Sequence, residues 1–148
     1  MPYTHPITLI NNTPETLTIV EKTIWHYANG GIWTEHDPDL TLNPHQGLFL
    51  TMNGSGTSGM LRVRSSSGEF FTVVVGYHNY EFWCDAQVDL EDGDTAMKVH
   101  PEYYGSGRLA GSASGEKGVK REARGGRAVE VRLQRLPCGR PPVVITYS

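Results

Sequence analysis

Short apolar runs separated by turn residues are the feature that most constrains the fold of this chain. Residues 7–10, 16–20 and 48–52 are rich in Thr, Ile, Val, Leu and Phe, and none has the spacing of an amphipathic helix. Gly, Asn and Pro separate such runs at the roughly 8–12-residue spacing that is typical of all-β domains. The 148 residues fit one domain with one core. The sequence therefore predicts a single domain, 1–148, built as an antiparallel β-sandwich.

A tight hairpin is predicted around the dipeptide Asn29-Gly30. It lies between residues 23–28 and 31–34, whose aromatic and β-branched side chains make Asn-Gly a strong hairpin signal. Further strands are predicted over residues 60–64, 128–133 and 143–147, with a polar loop over 35–46 and at most short helices after residue 85. Alternation in the first of these strands places Leu61 and Val63 on one face and two arginines on the other.

Residues 70–85 combine a buried strand with a concentration of aromatic and polar side chains. Residues 70–75 have the composition of a strand buried on both faces, and Gly76 ends the run. His78 and Asn79 are therefore predicted to emerge at a strand end, beside three aromatic residues. Aromatic rings accept the C–H face of a sugar, and His and Asn pair with its hydroxyls. Core aromatics with an interior histidine would have the same sequence, and this stretch alone leaves both interpretations open.

Charge is distributed unevenly along the chain, whose net charge is −3. Residues 103–148 contain 9 Lys/Arg and 3 Asp/Glu, a net of +6, whereas residues 1–102 contain 4 and 13, a net of −9. A basic arm for nucleic acid is one interpretation of the tail. No aromatic residue is interleaved with its basic residues from Lys117 onward until Tyr147, so the stacking that binds single strands is missing. A charged strand edge is favoured, and no nucleic-acid partner is expected.

The sequence has no signal for secretion or membrane insertion. Residues 1–6 have neither the basic start nor the apolar core of a signal peptide. No apolar run approaches the ~18 residues that a membrane span requires. We therefore expect a cytoplasmic protein, or one released by an unconventional route, that does not insert into membranes.

The glycine-rich loop does not match a cofactor site. Gly54, Gly56 and Gly59 have the spacing of a dinucleotide fingerprint, but a period-2 strand follows where that motif needs a helix. The loop also lacks the lysine of a P-loop and the serine elbow of a hydrolase. The six histidines and two cysteines form no metal-binding motif. We expect no cofactor, no metal and no enzymatic activity, and a loop that offers backbone N–H groups and hydroxyls.

Four segments, residues 21–31, 50–59, 68–72 and 75–85, together resemble the fungal fruit-body lectin family, the mushroom lectins of the Agaricus and Xerocomus type. The resemblance implies an actinoporin-like β-sandwich, a homotetramer, and a carbohydrate-binding protein without enzymatic activity, in a defence or storage role. The chain departs from the family in its longer loop after Glu35 and over its last ~40 residues.

The resemblance implies a principal site for Galβ1-3GalNAc, the T-antigen disaccharide. The matching positions are Ala28 beside the predicted hairpin turn, Ser55 and Gly56 in the glycine loop, and His78 and Asn79 at the strand end. These are also the regions whose own residues predict surfaces able to hold sugar hydroxyls.

A second site of the family, for terminal GlcNAc, is matched less well. Asp85 stands in place and Arg108 is a counterpart of the family's arginine, but Ala86 and Val88 stand where the family has Ile and Thr. The Gly/Ser-rich stretch that ends at Gly118 offers no counterpart of the family's tyrosine. Since Val88 can neither donate nor accept a hydrogen bond, the second site is predicted to be weakened or lost.

The alternative hypothesis is an actinoporin-like membrane-active protein, because such sandwiches also occur in cytolysins. Those proteins act through an amphipathic N-terminal segment, and residues 1–10, with two prolines and few apolar residues, make a poor one. The favoured interpretation is a lectin whose partners are glycans carrying Galβ1-3GalNAc or GalNAc, with GlcNAc as the ligand of a weakened second site.

Overall fold

The computed structural model describes residues 4–25, 32–35, 40–53, 58–78, 81–115, 118–134 and 142–148. The strands in these ranges are β1 (Thr4–Asn11), β2 (Leu17–Trp25), β3 (Ile32–Glu35), β4 (Thr41–Leu42), β5 (Gly47–Asn53), β6 (Ser58–Ser65), β7 (Phe70–His78), β8 (Glu81–Leu90), β9 (Val119–Glu122), β10 (Ala128–Leu133) and β11 (Val143–Tyr147). The helix α1 (Ala96–Val99) is followed directly by a 3-10 helical turn, His100–Tyr103.

The described strands form two sheets that pack face to face. One sheet has the order β3-β5-β1-β11-β10-β9, and the other has the order β4-β2-β6-β7-β8. Among these strands, every neighbouring pair is antiparallel except β1 and β11, which are parallel. The predicted all-β sandwich is confirmed, as is the expectation of only short helices after residue 85.

The main core lies between the two sheets, because side chains along each strand alternate in direction. Leu61 and Val63 of β6 face inward, as their alternation predicts, and are buried together with Ile7 of β1 and Leu50 of β5 in the opposite sheet. Burial of each aliphatic side chain of this kind contributes about 1.5–3 kcal/mol. The alternating apolar pattern therefore both selects strands and supplies the interface between the sheets.

A helical cover closes the outer face of the five-stranded sheet. This cover consists of residues 96–112, which are α1, the 3-10 turn and the turns that follow. Met60 of β6 and Val74 of β7 point away from the main core and are buried against Val99 and Leu109 of the cover. Strand β7 is therefore buried on both faces, as its sequence predicts. No helix in the described part of the chain is long and apolar enough to span a membrane.

The described strands on the two sides of the predicted hairpin at Asn29-Gly30 pair with other strands. Strand β2, on its N-terminal side, pairs with β4 and β6, whereas β3, on its C-terminal side, pairs with β5 in the other sheet. Residues 26–31, which include the dipeptide itself, lie outside the described residues. The indole nitrogen of Trp33 donates a hydrogen bond to the Thr23 carbonyl at 3.0 Å. In the described residues β2 and β3 belong to different sheets, and the tight turn at Asn29-Gly30 stays a prediction.

Strands β4, β8 and β9 are missed by the sequence patterns. β4 interrupts the predicted polar loop over residues 35–46, and β8 carries acidic and amide side chains among its apolar ones. β9 forms an edge of the six-stranded sheet, where Lys120 and Glu122 are exposed. The charged edge predicted from the basic tail is therefore present, since charged side chains protect an exposed strand from further pairing.

Candidate functional site

Three neighbouring strands end side by side at one end of the five-stranded sheet. Trp25, the last residue of β2, is paired with Ser58, the first residue of β6, and Ser58 is paired with Gly76 near the end of β7. His78 closes β7 and is paired with Glu81, the first residue of β8. We call this part of the molecule, defined by Trp25, Ser58, Gly76 and His78, the strand-end region. Such a rigid strand framework can present the residues of adjoining loops to a ligand.

Aromatic rings line the outer side of the strand-end region. The Trp83 ring lies directly over Gly76, where an added Cβ would come 2.5 Å from the indole, so only glycine is accommodated. Tyr104 of the helical cover stacks on Trp25, with ring centroids 5.6 Å apart, and meets Trp83 edge-on at 6.2 Å. All three aromatic side chains are half-buried. The sequence predicts Trp83 beside the strand end but not Trp25 or Tyr104, which tertiary packing brings there.

A chain of polar groups connects the same strands to the helical cover. Thr23 Oγ1 lies 2.7 Å from Nδ1 of His100, and Ser58 Oγ lies 2.8 Å from its Nε2. The Ser58 hydroxyl is also hydrogen-bonded to the hydroxyl of Tyr104. Burial raises the pKa of Tyr104, so its phenol remains protonated at neutral pH. The sequence gives no local signal for this cluster, whose members come from three distant segments.

The inner side of the strand-end region is also tightly packed. A Cβ added to Gly59 would come within 2.6 Å of both Trp33 and Met52, so these side chains lie against the glycine itself. Tyr77 of β7 stacks on His5 of β1, with ring centroids 3.9 Å apart and 7° between the planes. The start of β6 and the end of β7 are therefore held from both sides.

Most residues of the predicted first site lie outside the described residues. Ala28, Ser55, Gly56 and Asn79 belong to this group, and His78 is described only as the closing residue of β7. In the sequence they adjoin the strand-end region. Ala28 follows the end of β2 by three residues, Ser55 and Gly56 precede the start of β6 by three and two, and Asn79 follows the end of β7 directly.

Asp85 of the predicted second site is fully buried on the outer face of β8. Its Oδ1 is 2.7 Å from the Arg121 guanidinium. Its Oδ2 accepts hydrogen bonds from the Tyr103 hydroxyl at 2.7 Å and from the Gln87 amide at 2.9 Å. Burial, followed by the hydrogen bond to Asp85, raises the pKa of Tyr103 well above its ordinary value, so the phenol stays protonated and donates. We call these four residues the Asp85 cluster.

The other two residues of the predicted second site contact different parts of the molecule. Val88 is half-buried and packs against the main core between the sheets. Arg108 is 65% exposed and forms an ion pair with Glu102 at 2.8 Å. Sequence analysis missed Arg121 and Gln87 as partners of Asp85. Gln87 could have been found from its period-2 spacing, which places it on the same strand face as Asp85.

Cys84, beside Asp85, is a buried free thiol on the inner face of β8. Burial, and next the Asp85 carboxylate, raise the pKa of Cys84 to about 12, which leaves the thiol protonated and unreactive. Within the described parts of the chain, no group of three or more His, Cys, Asp or Glu side chains could hold a metal ion.

Relatives of the chain are found by sequence and by structure. The model of the fungal fruit body lectin family matches residues 1–137. A lectin of Boletus edulis is 50% identical over 93 residues, which are 63% of this chain and 59% of that protein's length. The wild-type Xerocomus chrysenteron lectin has a TM-score of 0.80 and 33% identity, with 100% of each chain covered. A crystal structure of the same lectin with three substitutions has a TM-score of 0.80 and 34% identity, covering 100% of this chain and 99% of that one.

Proposed function

Because the chain belongs to the fungal fruit body lectin family, we propose that it is a lectin that binds glycans carrying Galβ1-3GalNAc or GalNAc. Lectins of this family bind carbohydrates and are not enzymes. The sugar is bound next to the strand-end region by Ala28, Ser55, Gly56, His78 and Asn79. Asn and His side chains, a serine hydroxyl and the backbone of a glycine loop are hydrogen-bonding groups suited to the hydroxyls and acetamido group of such a disaccharide.

The observation that supports this proposal is the pairing of Trp25 with Ser58 and of Ser58 with Gly76. These pairs set the ends of β2, β6 and β7 next to each other in one sheet, where neighbouring strands are about 4.8 Å apart. The five proposed binding residues lie in three separate segments of the sequence, and each segment adjoins one of these strand ends. Trp25, Trp83 and Tyr104 add aromatic surface on the outer side of the same region.

We also propose that the second, GlcNAc-type site is weakened or lost. A carboxylate can accept about four hydrogen bonds, and three are already used in Asp85 by Arg121, Tyr103 and Gln87. Its side chain is 0% exposed. Arg108 is paired with Glu102 instead. A sugar would have to displace these internal partners, and Val88 offers no hydrogen bond to compensate.

Homotetramer formation and a defence or storage role are further parts of the proposal, carried by the family resemblance, and a cytoplasmic location is proposed with them. Light scattering coupled to size-exclusion chromatography tests the assembly directly. A particle of one chain at micromolar concentration would contradict the tetramer, and it would leave the sugar-binding proposal to be decided separately.

A glycan array followed by calorimetric titration tests the binding proposal. We expect selective retention on glycans with Galβ1-3GalNAc or GalNAc, and one sugar site per chain. Two sites per chain of similar affinity, the second filled by GlcNAc, would contradict the loss of the second site. Release of dye from liposomes that contain no glycolipid would instead support the membrane-active alternative.

A further inference from the structure

A buried chain of hydroxyl and imidazole groups lies within the strand-end region. His100 is 1% exposed, and its two ring nitrogens face Thr23 Oγ1 at 2.7 Å and Ser58 Oγ at 2.8 Å. A neutral imidazole has one donor and one acceptor nitrogen, and a hydroxyl can take either role. Both nitrogens are therefore satisfied in either tautomer. The two hydroxyls therefore help to hold the orientation of the His100 ring.

The chain joins three elements that are distant in sequence. Thr23 lies on β2, Ser58 begins β6, and His100 begins the 3-10 turn of the helical cover. A buried polar group that loses its partner is costly, so the remaining groups shift to find another one. Loss of the Thr23 hydroxyl would remove this contact of Nδ1, and the His100 ring would be held less firmly. Ser58, on the opposite nitrogen, would keep its contact with Tyr104 but would face a less fixed His100 ring.

Ser58 connects this chain to the proposed sugar site. It is 0% exposed and directly follows residues 54–57, the segment that contains Ser55 and Gly56. The next residue, Gly59, is packed on the opposite face against Trp33 and Met52. The start of β6 is therefore held on both faces. Three residues of chain span at most about 10 Å, so the position of Ser58 limits where the sequence can place Ser55 and Gly56.

We infer that Thr23, His100 and Ser58 are positioning residues for the sugar-binding segment 54–57, and that their hydrogen bonds set the affinity for the glycan without touching it. The inference rests on the proposed function. Its physical basis is preorganisation, because a binding segment held in place before the sugar arrives loses less conformational freedom on binding.

Paired substitutions test the inference by calorimetric titration with Galβ1-3GalNAc. We expect Thr23→Val, which keeps the shape but removes the hydroxyl, to weaken binding about tenfold, as expected for loss of one buried hydrogen bond. Ser58→Ala removes the contacts with both His100 and Tyr104 and is expected to weaken binding at least as much. Thr23→Ser, which keeps the hydroxyl, is expected to bind the disaccharide within about twofold of the parent. Since the Thr23 contact acts through His100, the double variant is expected to lose about as much affinity as Ser58→Ala alone, not the product of the two losses.

Thr72→Val is the matched control. The Thr72 hydroxyl is buried on β7 and has no hydrogen-bond partner among the described residues, so this variant is expected to bind the disaccharide as the parent does. Thermal unfolding of every variant confirms that titrations are made on folded protein. Unchanged affinity in Thr23→Val and Ser58→Ala would overturn this inference but leave the proposed function standing. A parent protein that binds no glycan would overturn both the proposed function and this inference. Equal weakening in Thr72→Val would show a general effect of stability and would also overturn the inference.

Discussion

The strand-end region and the Asp85 cluster both place polar side chains beside aromatic rings, but they use those polar groups differently. In the Asp85 cluster the carboxylate accepts from Arg121, Tyr103 and Gln87, and it is fully buried. At the strand-end region, β2, β6 and β7 end together and continue into the segments that carry the proposed sugar contacts. Polar residues therefore contribute to stability in the Asp85 cluster, where their partners are internal, and we propose that those beyond the strand ends contribute to sugar binding.

The largest effect is expected from removal of the Asp85 carboxylate. Asp85→Ala leaves Arg121, Tyr103 and Gln87 without their shared acceptor, and loss of one member of such a buried pair costs about 3–5 kcal/mol. For a chain of this size the melting temperature is expected to fall by about 6–20 °C. Calorimetric unfolding measures this fall. Binding of Galβ1-3GalNAc below the transition is expected to persist, and loss of sugar binding in a folded Asp85→Ala protein would break the distinction between the two regions.

Asn79→Ala is expected to have the opposite effect to Asp85→Ala, weakening sugar binding without lowering the melting temperature. Loss of a hydrogen bond to a bound sugar hydroxyl costs about 1–3 kcal/mol, which is about 5- to 150-fold in affinity. The melting temperature is expected to stay unchanged, because the role proposed for the amide is to pair with the ligand and not with the core. Titration calorimetry and thermal unfolding measure the two properties. Asn43→Ala, on an exposed turn at the other end of the sheet, is the matched control and should alter neither.

Arg121 and Arg108 provide a direct comparison within the predicted second site. Arg121→Met is expected to lower the free energy of unfolding by about 1–3 kcal/mol, because it leaves the buried Asp85 charge without its cation. Arg108→Met removes only the exposed pair with Glu102, and its effect is expected to stay within about 0.5 kcal/mol. Urea titration of both variants measures the difference. Equal losses in the two variants would show that Arg108 also supports Asp85.

The smallest effect concerns the end of the sandwich opposite the strand-end region, where Arg127 contacts Glu15 at 2.6 Å. Burial opposes the charge of Glu15, but hydrogen bonds from Ser67 and Arg127 outweigh it and hold its pKa below the ordinary value of 4.5. A carboxylate with a lowered pKa stabilises the fold above the unfolded-state pKa, and this contribution is lost as pH falls through the folded-state value.

Arg127→Met is therefore expected to lower the free energy of unfolding by up to about 1 kcal/mol at pH 7. The difference from the parent should shrink as pH falls below 4.5, where the carboxyl becomes protonated in both states. Denaturant titrations across this range measure it. Arg132→Met, whose exposed pair with Glu130 is 3.9 Å long, is the control and should show no pH-dependent difference. A stability difference between Arg127→Met and the parent that grows as pH falls would contradict the lowered pKa of Glu15.

The fold was largely predictable because its strands carry their own patterns. Leu61 and Val63 alternate with arginines, and the strand after Phe70 is apolar on both faces, so periodicity alone identified β6 and β7. The alternation also predicted that Arg62 lies on the outer face, but it did not predict that Arg62 is buried there. Its guanidinium lies against the Phe70 ring and near Glu21, and donates to the carbonyls of the 91–92 turn. These partners come from three segments, so no local pattern could reveal them.

The candidate site was predictable to a different degree in its two parts. His78 and Asn79 could be placed at a strand end because Gly76 interrupts a buried apolar run. The chain Thr23, His100 and Ser58 could not be found, because its residues are separated by 35 and 42 positions in the sequence. Each is an ordinary polar residue in its own segment. Their common role appears only when β2, β6 and the helical cover pack together.

What the sequence determined by itself is the repeating unit of the molecule: short strands with one apolar face, turns between them, and the motifs that resemble the fungal fruit-body lectins. Tertiary structure decided which strands became neighbours. It placed β2 and β3 in different sheets despite the Asn29-Gly30 signal, and it selected Arg121 over Arg108 as the partner of Asp85. The physical reason is the distance along the chain over which each effect acts. Hydrophobic periodicity is set by a few neighbouring residues, whereas strand pairing and charge contacts depend on which distant segments bury the most apolar surface together.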